Sequence, residues 1–310
     1  MKIISVMLPT YNEEANIKPL VEAIKDLFGN ELKNYDYEIV ISDNKSTDNT
    51  REIIRLICKE DKKVKAIFNM NNFPIGSGIN GIRNTNGDCT IHMASDFQDP
   101  VEVIPKLVKK WEEGNKIVVA CKKKSKESFL MYKVRSFYYN LMDSICFVKQ
   151  INQFSGFALY DKTFINVIKE LKDPLPYFRG LVSELGGNHA VVEYEQQVRR
   201  SGKSSYRSFK RLYDVAMRGI TTYSKTPIRL AVSIGMIGIS ISFLLMVIIF
   251  ILNIVNDIAI FNTGFMFIMI LFVMFLQLSF IGIIGEYILN MNIRIMNHPI
   301  VVEEERINFE

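Results

Sequence analysis

Two long stretches without an ionisable side chain dominate the C-terminal third of the chain. Leu230–Val255 runs for 26 residues and Ile258–Gly285 for 28, parted only by Asn256 and Asp257. A helix crosses a hydrocarbon core with about 20 apolar residues, and a soluble helix keeps a polar face that these stretches lack. The expectation is a two-helix transmembrane hairpin over 230–289, followed by a cytoplasmic tail over 290–310. The apolar run at Met1–Thr10 is too short for a signal peptide. Lys210, Arg211, Arg218, Lys225 and Arg229 precede the first stretch, Arg294 follows the second, and the connecting loop has no Lys or Arg. By the positive-inside rule both termini are expected in the cytoplasm, with the protein multi-pass in the inner or plasma membrane. The charges divide at the same point. Before Leu230 there are 36 basic and 27 acidic residues, and from Leu230 onward 2 and 6. That division excludes a simple soluble enzyme. Cys58, Cys89, Cys121 and Cys146 form no CxxC pair, as expected of thiols in a reducing compartment.

Just before the first stretch, Phe209, Leu212, Tyr213, Ala216, Met217, Ile220 and Tyr223 recur at helical spacing among basic residues. The pattern predicts an amphipathic interfacial helix over 206–229, with its cations near anionic membrane lipids. A helix packed on the preceding domain is the other reading.

The first 205 residues read as one α/β domain. Short β-rich runs at Ile3–Leu8, Tyr37–Ser42, Val64–Asn69, Thr90–Ala94 and Ile117–Cys121 alternate with helical segments near Glu14–Phe28 and Asn49–Lys59. Such alternation predicts a mostly parallel sheet with ligands at the carboxyl ends of its strands. Polar clusters fall at three of those ends: Tyr11, Asn12 and Glu13; Asp43, Asn44, Ser46 and Asp48; Asp96, Gln98 and Asp99. One cluster alone is explained by turn and cap chemistry, whereas three in register predict a shared crevice. Gly76-Ser77-Gly78-Ile79-Asn80-Gly81 matches the dinucleotide fingerprint but follows the wrong strand. Its glycines are expected to let backbone pass close to a ligand. His92, His189 and His298 show no metal-binding spacing, and nothing in the chain calls for nucleic acid.

Pro9-Thr10-Tyr11-Asn12-Glu13, Asp43-Asn44-Lys45-Ser46-Thr47-Asp48 and Asp96-Phe97-Gln98-Asp99-Pro100 resemble family 2 glycosyltransferases of the GT-A fold. Arg179-Gly180-Leu181-Val182, Arg200-Ser201-Gly202-Lys203-Ser204, Gly219-Ile220-Thr221 and Gly285-Glu286-Tyr287 narrow the likeness to polyisoprenyl-phosphate glycosyltransferases with two membrane spans. That group includes the dolichol-phosphate mannose synthase-like and bacterial undecaprenyl-phosphate glucosyltransferase enzymes. The resemblance implies a Rossmann-like GT-A (nucleotide-diphospho-sugar transferase) domain, an amphipathic juxtamembrane helix and two transmembrane helices. It implies inverting transfer from a nucleotide-diphosphate sugar, a UDP-hexose, to polyprenyl (undecaprenyl) phosphate, and assembly of copies through the spans.

The resemblance also implies roles for residues. Asp96 and Gln98 match the positions that hold Mg2+ or Mn2+. Pro9, Tyr11, Asn12, Glu13, Asp43, Asn44, Ser46, Gly76 and Gly78 fall on the nucleotide side. Arg135, with Ser136 and Asn140, matches the acceptor-phosphate segment, Lys122 or Lys124 is expected to join it in binding the phosphate, and Arg200 with Ser204 falls in the loop over the diphosphate. Asp96, Arg135 and Arg200 are the candidate catalytic residues. Glu184 reads either as a base or as a helix-surface carboxylate. The chain departs from the pattern at Ala94, which replaces the first Asp of the usual Asp-x-Asp, and at Asn44, Lys45 and Ala158. These departures keep open a non-catalytic membrane protein that binds nucleotide sugar; a transferase acting on a lipid-linked oligosaccharide or wall polymer is the other alternative. A faint likeness of Gln196–Arg200 to a processive synthase signature lacks its tryptophan.

Overall fold

The computed structural model describes residues 1–123, 144–146, 151, 153–171, 173, 178–197, scattered residues from 217 to 244, and 263–309 apart from 297. Its centre is a sheet, eight-stranded among the described residues, in the order β7-β5-β6-β4-β1-β2-β3-β8. The strands are β1 (Lys2–Thr10), β2 (Tyr35–Asp43), β3 (Val64–Asn69), β4 (Cys89–His92), β5 (Ile117–Lys122), β6 (Phe154–Asp161), β7 (Ala190–Tyr194) and β8 (Glu303–Ile307). β1 pairs in parallel with β2 and with β4, and β2 with β3. β6 runs antiparallel between β4 and β5, while β5 and β7 are parallel. The mostly parallel sheet is as expected. β6, β7 and β8 are additions that the hydropathy of the chain does not announce.

Helices among the described residues include α1 (Ile17–Asn30), α2 (Thr50–Glu60), α3 (Gly76–Arg83), α4 (Ile104–Glu112), α5 (Lys162–Glu170), α6 (Phe178–Leu185) and α7 (Thr263–Ile295). α1 to α6 cover both faces of the sheet, which is why its central strands are almost continuously apolar. Ile4, Val6 and Leu8 of β1 pack with Ile39 and Ile41 of β2 against Leu20, Ile24, Ile54 and Leu107 from α1, α2 and α4. Met7 points the other way, into a second core with Ile79 and Ile82 of α3, Phe164 and Ile168 of α5 and Val182 of α6. The period-2 alternation of strand side chains divides them between these two layers. α5 starts on Asp161, whose carboxylate accepts the Thr163 N–H at 3.0 Å and the Trp111 indole N–H at 2.8 Å. That side-chain cap ties β6, α4 and α5 together.

The transmembrane hairpin and the multi-pass membrane location are corrected: among the described residues no helix is long and apolar enough to cross a membrane. Residues 245–262 lie outside the described set, as does most of the stretch expected to form the interfacial helix. α7 does not stop where its uncharged run stops. It continues through Glu286, Asn290 and Arg294, and three of its polar side chains are bound to protein. Asn290 donates to Thr221 Oγ1 at 2.9 Å, Tyr287 donates to the Ser224 carbonyl, and Arg294 pairs with Asp173 at 3.3 Å. Counting uncharged residues recorded side-chain hydropathy but not these contacts.

The segment after α7 returns to the sheet. β8 runs antiparallel to β3 with Ile307 opposite Ala66 and Glu305 opposite Phe68. Met70 N donates to Val302 O at 2.8 Å, and the Asn308 amide donates to Cys58 O at 2.8 Å and Val64 O at 2.7 Å. β3 is thereby covered on its outer edge, removing an exposed row of N–H and C=O groups.

Candidate active site

β1 and β2 end in step, with Thr10 opposite Asp43, and β4 ends beside them with His92 opposite Met7. The three polar clusters therefore meet at one carboxyl edge, where a parallel sheet presents its ligand crevice. Hydrogen bonds join them. Asn44 N donates to Thr10 O at 2.8 Å, Asn12 N donates to Ser46 Oγ at 2.9 Å, and Thr10 Oγ1 lies 3.1 Å from Ser95 Oγ. Pro9 contributes its carbonyl, which accepts the Ser95 hydroxyl at 2.8 Å. Asn12 and Lys45 both stand in the left-handed region, at φ 54° and 66°, a conformation that asparagine tolerates well. The two turns can therefore fold against each other.

Several of the candidate residues bind the loops to one another. Asn12 Oδ1 accepts the Thr47 N–H at 2.8 Å, and Glu13 N donates to Thr50 Oγ1 at 2.9 Å. The Glu13 carboxylate is buried and accepts from the Asn16 amide at 2.6 Å. The Asn44 amide donates to Asn72 Oδ1 at 2.9 Å, and its oxygen accepts the Phe73 N–H at 2.7 Å, so it holds the loop that leads into α3. Tyr11, by contrast, remains 37% exposed just beyond the end of β1.

Asp43 is fully buried. Its Oδ2 accepts the Ser46 N–H at 3.2 Å and Arg51 Nε–H at 3.0 Å. Its Oδ1 is buried with no hydrogen-bond partner among the described residues. Burial pushes this carboxyl above the ordinary aspartate range, against the pull of Ser46 and Arg51. A buried acceptor without a donor is costly, and this one lies at the carboxyl end of β2, the end of a parallel sheet at which ligands are received.

The third cluster is a tight turn. Phe97 takes φ 61°, Gln98 N donates back to Asp96 Oδ1 at 3.1 Å, and Gln197 N donates to Gln98 O at 3.3 Å. Asp96 and Gln98 thus share one turn as candidate oxygen ligands. Among the described residues no three His, Cys, Asp or Glu side chains cluster as a metal cage. A magnesium-like ion held by one or two protein oxygens, with substrate phosphates and water completing its shell, fits such a donor set. Asp99 supports the turn from beneath. It is buried and accepts Ala94 N–H at 2.9 Å and Tyr194 O–H at 2.8 Å, and burial pushes its carboxyl up. Ala94 therefore contributes its backbone to the turn even without a carboxylate.

The glycine-rich segment forms the start of α3, but its first glycine serves the protein. A Cβ on Gly76 would overlap the carbonyl of Ile300, whereas one on Gly78 would meet only His92 Nε2 at 3.6 Å. The close approach expected of a ligand at Gly76 is made by the C-terminal segment. His92 Nδ1 lies 2.8 Å from the Gly156 carbonyl, which can only accept, so this nitrogen carries the proton. Burial lowers its pKa and keeps the ring neutral. Through this contact His92 ties β4 to β6.

On the acceptor side, Lys122 ends β5 and its charge acts on Asp99. Glu184 is exposed on α6. Lys124, Arg135, Ser136, Asn140, Arg200 and Ser204 lie outside the described residues. The sequence reading missed Arg51, Asn69, Asn72 and Tyr194, all of which hold the clusters in place. No spacing marks them, because each meets its partner only through the fold.

The family model described as Glycosyl transferase family 2 matches residues 5–168. The chain is 33% identical over 287 residues to a bactoprenol glucosyl transferase of Shigella phage SfX, covering 92% of this chain and 93% of that protein. It is 32% identical to the SfII prophage-derived bactoprenol glucosyl transferase of Shigella flexneri, covering 96% of both. Among solved structures, mannosyl-3-phosphoglycerate synthase from Rubrobacter xylanophilus superposes with a TM-score of 0.51 at 14% identity, over 71% of this chain and 73% of that one.

Proposed function

The chain belongs to glycosyl transferase family 2, and from that premise we propose that it transfers a sugar from a nucleotide-diphosphate sugar to polyprenyl phosphate with inversion at the anomeric carbon. The relatives' names support the acceptor class. The observation that carries the donor assignment is the convergence of three strand-end clusters around the buried, unpaired Oδ1 of Asp43.

In this reading Pro9, Tyr11 and Asp43 form the nucleoside side of the crevice, Asp43 Oδ1 accepting a base N–H. Asn12, Glu13, Asn44 and Ser46 keep the two loops closed around it. Asp96 and Gln98 would hold Mg2+ or Mn2+, which neutralises negative charge on the departing diphosphate. Asp99 and Tyr194 keep the Asp96–Gln98 turn in shape. Arg135 and Arg200, with Lys122, Lys124, Ser136 and Ser204, draw the acceptor phosphate towards the donor. An acceptor phosphate oxygen attacks the anomeric carbon on the face opposite the diphosphate. The new C–O bond forms as the bond to the diphosphate oxygen breaks, and the nucleoside diphosphate leaves with that electron pair. The attacking oxygen is already anionic near neutral pH, so no strong base is required.

The test supplies the full chain with labelled UDP- and GDP-hexoses, undecaprenyl phosphate and Mg2+ or Mn2+. A labelled, chloroform-soluble monosaccharide phospholipid is expected with one donor. No such product across the donor panel would refute the proposal, and label only in a larger saccharide would move the acceptor to an oligosaccharide or polymer.

A further inference from the structure

Arg51, on α2, divides its guanidinium among three acceptors. Nε donates to Asp43 Oδ2 at 3.0 Å, and Nη2 donates to Asn69 O at 3.2 Å and to Glu304 Oε2 at 2.9 Å. The group also lies over the Phe68 ring, 5.1 Å from its centroid. A planar, five-donor fork holds several acceptors in fixed directions, so the position of Glu304 is transmitted to the Asp43 carboxylate. Glu304 belongs to β8, the last strand of the sheet, 253 residues from Arg51. It lies 3.9 Å from Lys45, which follows Asp43 in the nucleotide turn.

β8 itself is firmly seated. Its neighbours Glu303 and Glu305 bind Asn80 at 2.6 Å and Arg55 at 2.8 Å, and the chain just before it presses on Gly76 at the start of α3. The strand therefore touches both helices that flank the Asp43 turn. Its three glutamates also account for half of the six acidic residues after Leu230. Two of them, Glu304 and Glu305, pair with Arg51 and Arg55 of α2, while Glu303 pairs with Arg306 of its own strand.

We propose that Glu304, acting through Arg51, is a positioning residue for the donor nucleoside: β8 is a latch that orients Asp43 so that Oδ2 is held by protein and Oδ1 faces the ligand. The inference rests on the reading that Asp43 receives the nucleoside. A loop acid that merely decorated the surface would not sit at the outer end of a three-acceptor guanidinium whose inner end is a fully buried carboxylate.

The test measures calorimetric affinity of the full chain for UDP and GDP alone, taking the tighter, together with donor KM, kcat and Tm. Glu304→Gln is expected to weaken binding about 3-fold, the scale of a partly exposed ion pair, and Glu304→Lys about 10-fold through repulsion of Arg51. kcat at saturating donor should stay within about 2-fold, because the effect is on ground-state binding. In an Arg51→Met background Glu304→Gln should add nothing, since the transmitting group is gone. Wild-type affinity in Glu304→Lys, with affinity lost in Asp43→Asn, would overturn the latch and leave the nucleoside assignment standing. Undiminished affinity in Asp43→Asn would overturn both. A lowered Tm with unchanged nucleotide affinity would show β8 to be structural alone, and would also overturn the latch.

Discussion

Asp43 ends β2 and Asp96 follows β4, one on either side of β1, yet their surroundings assign them different work. Asp43 is enclosed, with burial pushing its carboxyl up and Arg51 pairing one oxygen. Asp96 accepts within its own turn at the crevice edge. Asp43→Asn should therefore weaken nucleoside diphosphate binding by about 10-fold or more, the cost of disturbing a buried charged hydrogen bond, with kcat less affected. Asp96→Ala should instead lower kcat by about 100-fold or more by removing stabilisation of the leaving charge. Steady-state kinetics with a saturating acceptor separate the two. Because the folded pKa of Asp43 lies above the usual range, its anionic form is lost earlier as pH falls. Donor affinity should accordingly decline on the acid side before an ordinary aspartate titrates, and Asp43→Asn should abolish that limb. Both aspartates were legible in the sequence because each follows a β-rich run. Arg51 and Tyr194 were not, because a residue that orients another carries no local signature.

At the scale of elements, the strand ends and the helices between them could be read from hydropathy, while the glycine-rich start of α3 could be located but not interpreted. Gly76 meets Ile300 backbone and Gly78 only the edge of His92. Gly76→Ala should lose about 1–3 kcal/mol through overpacking, whereas Gly78→Ala should hold or raise Tm, since alanine is the better helix former. Thermal melts of the pair check this, and a raised donor KM in a stable Gly78→Ala protein would put a ligand at that position. The cap of α5 gives a second measurement. Burial works to raise the Asp161 carboxyl, but hydrogen bonds from Trp111 and Thr163, helped by Lys116, hold it down at about 2. An aspartate depressed on folding stabilises the fold above its unfolded pKa, and that stability disappears as pH falls through the folded value. The window is about pH 4 to about 2, and the contribution is about 2 kcal/mol at neutral pH. Asp161→Asn should be less stable at pH 7 and should flatten this part of the acid unfolding curve, as followed by urea titration at stepped pH.

For the whole molecule, the division of charge at Leu230 was visible from the start, but its meaning lay in pairings across the chain. Arg51 and Arg55 of α2 bind Glu304 and Glu305 of β8. Glu303–Ile307 reads as an acidic tail because four of its five side chains are charged, and only β3 and α2 make it a strand. Long uncharged stretches were equally visible, yet Asn290, Tyr287 and Arg294 of α7 are tied to Thr221, Ser224 and Asp173. Deleting residues 303–310 should uncover the β3 edge, lower Tm by about 5 °C or more for a domain of this size, and promote association through the bared strand. Differential scanning calorimetry and light scattering would register both. The β3–β8 pairing also has a kinetic meaning. It closes contacts such as Ala66 with Ile307, at opposite ends of the chain, and pairings of such sequence separation form slowly because loop closure precedes any reward. During synthesis β8 is the last strand of the sheet to leave the ribosome, so a nascent chain can build the central strands while Arg51 still lacks its outer anchor. Nucleotide capture would then mature only after translation has passed that strand, separating the birth of the fold from the onset of its chemistry.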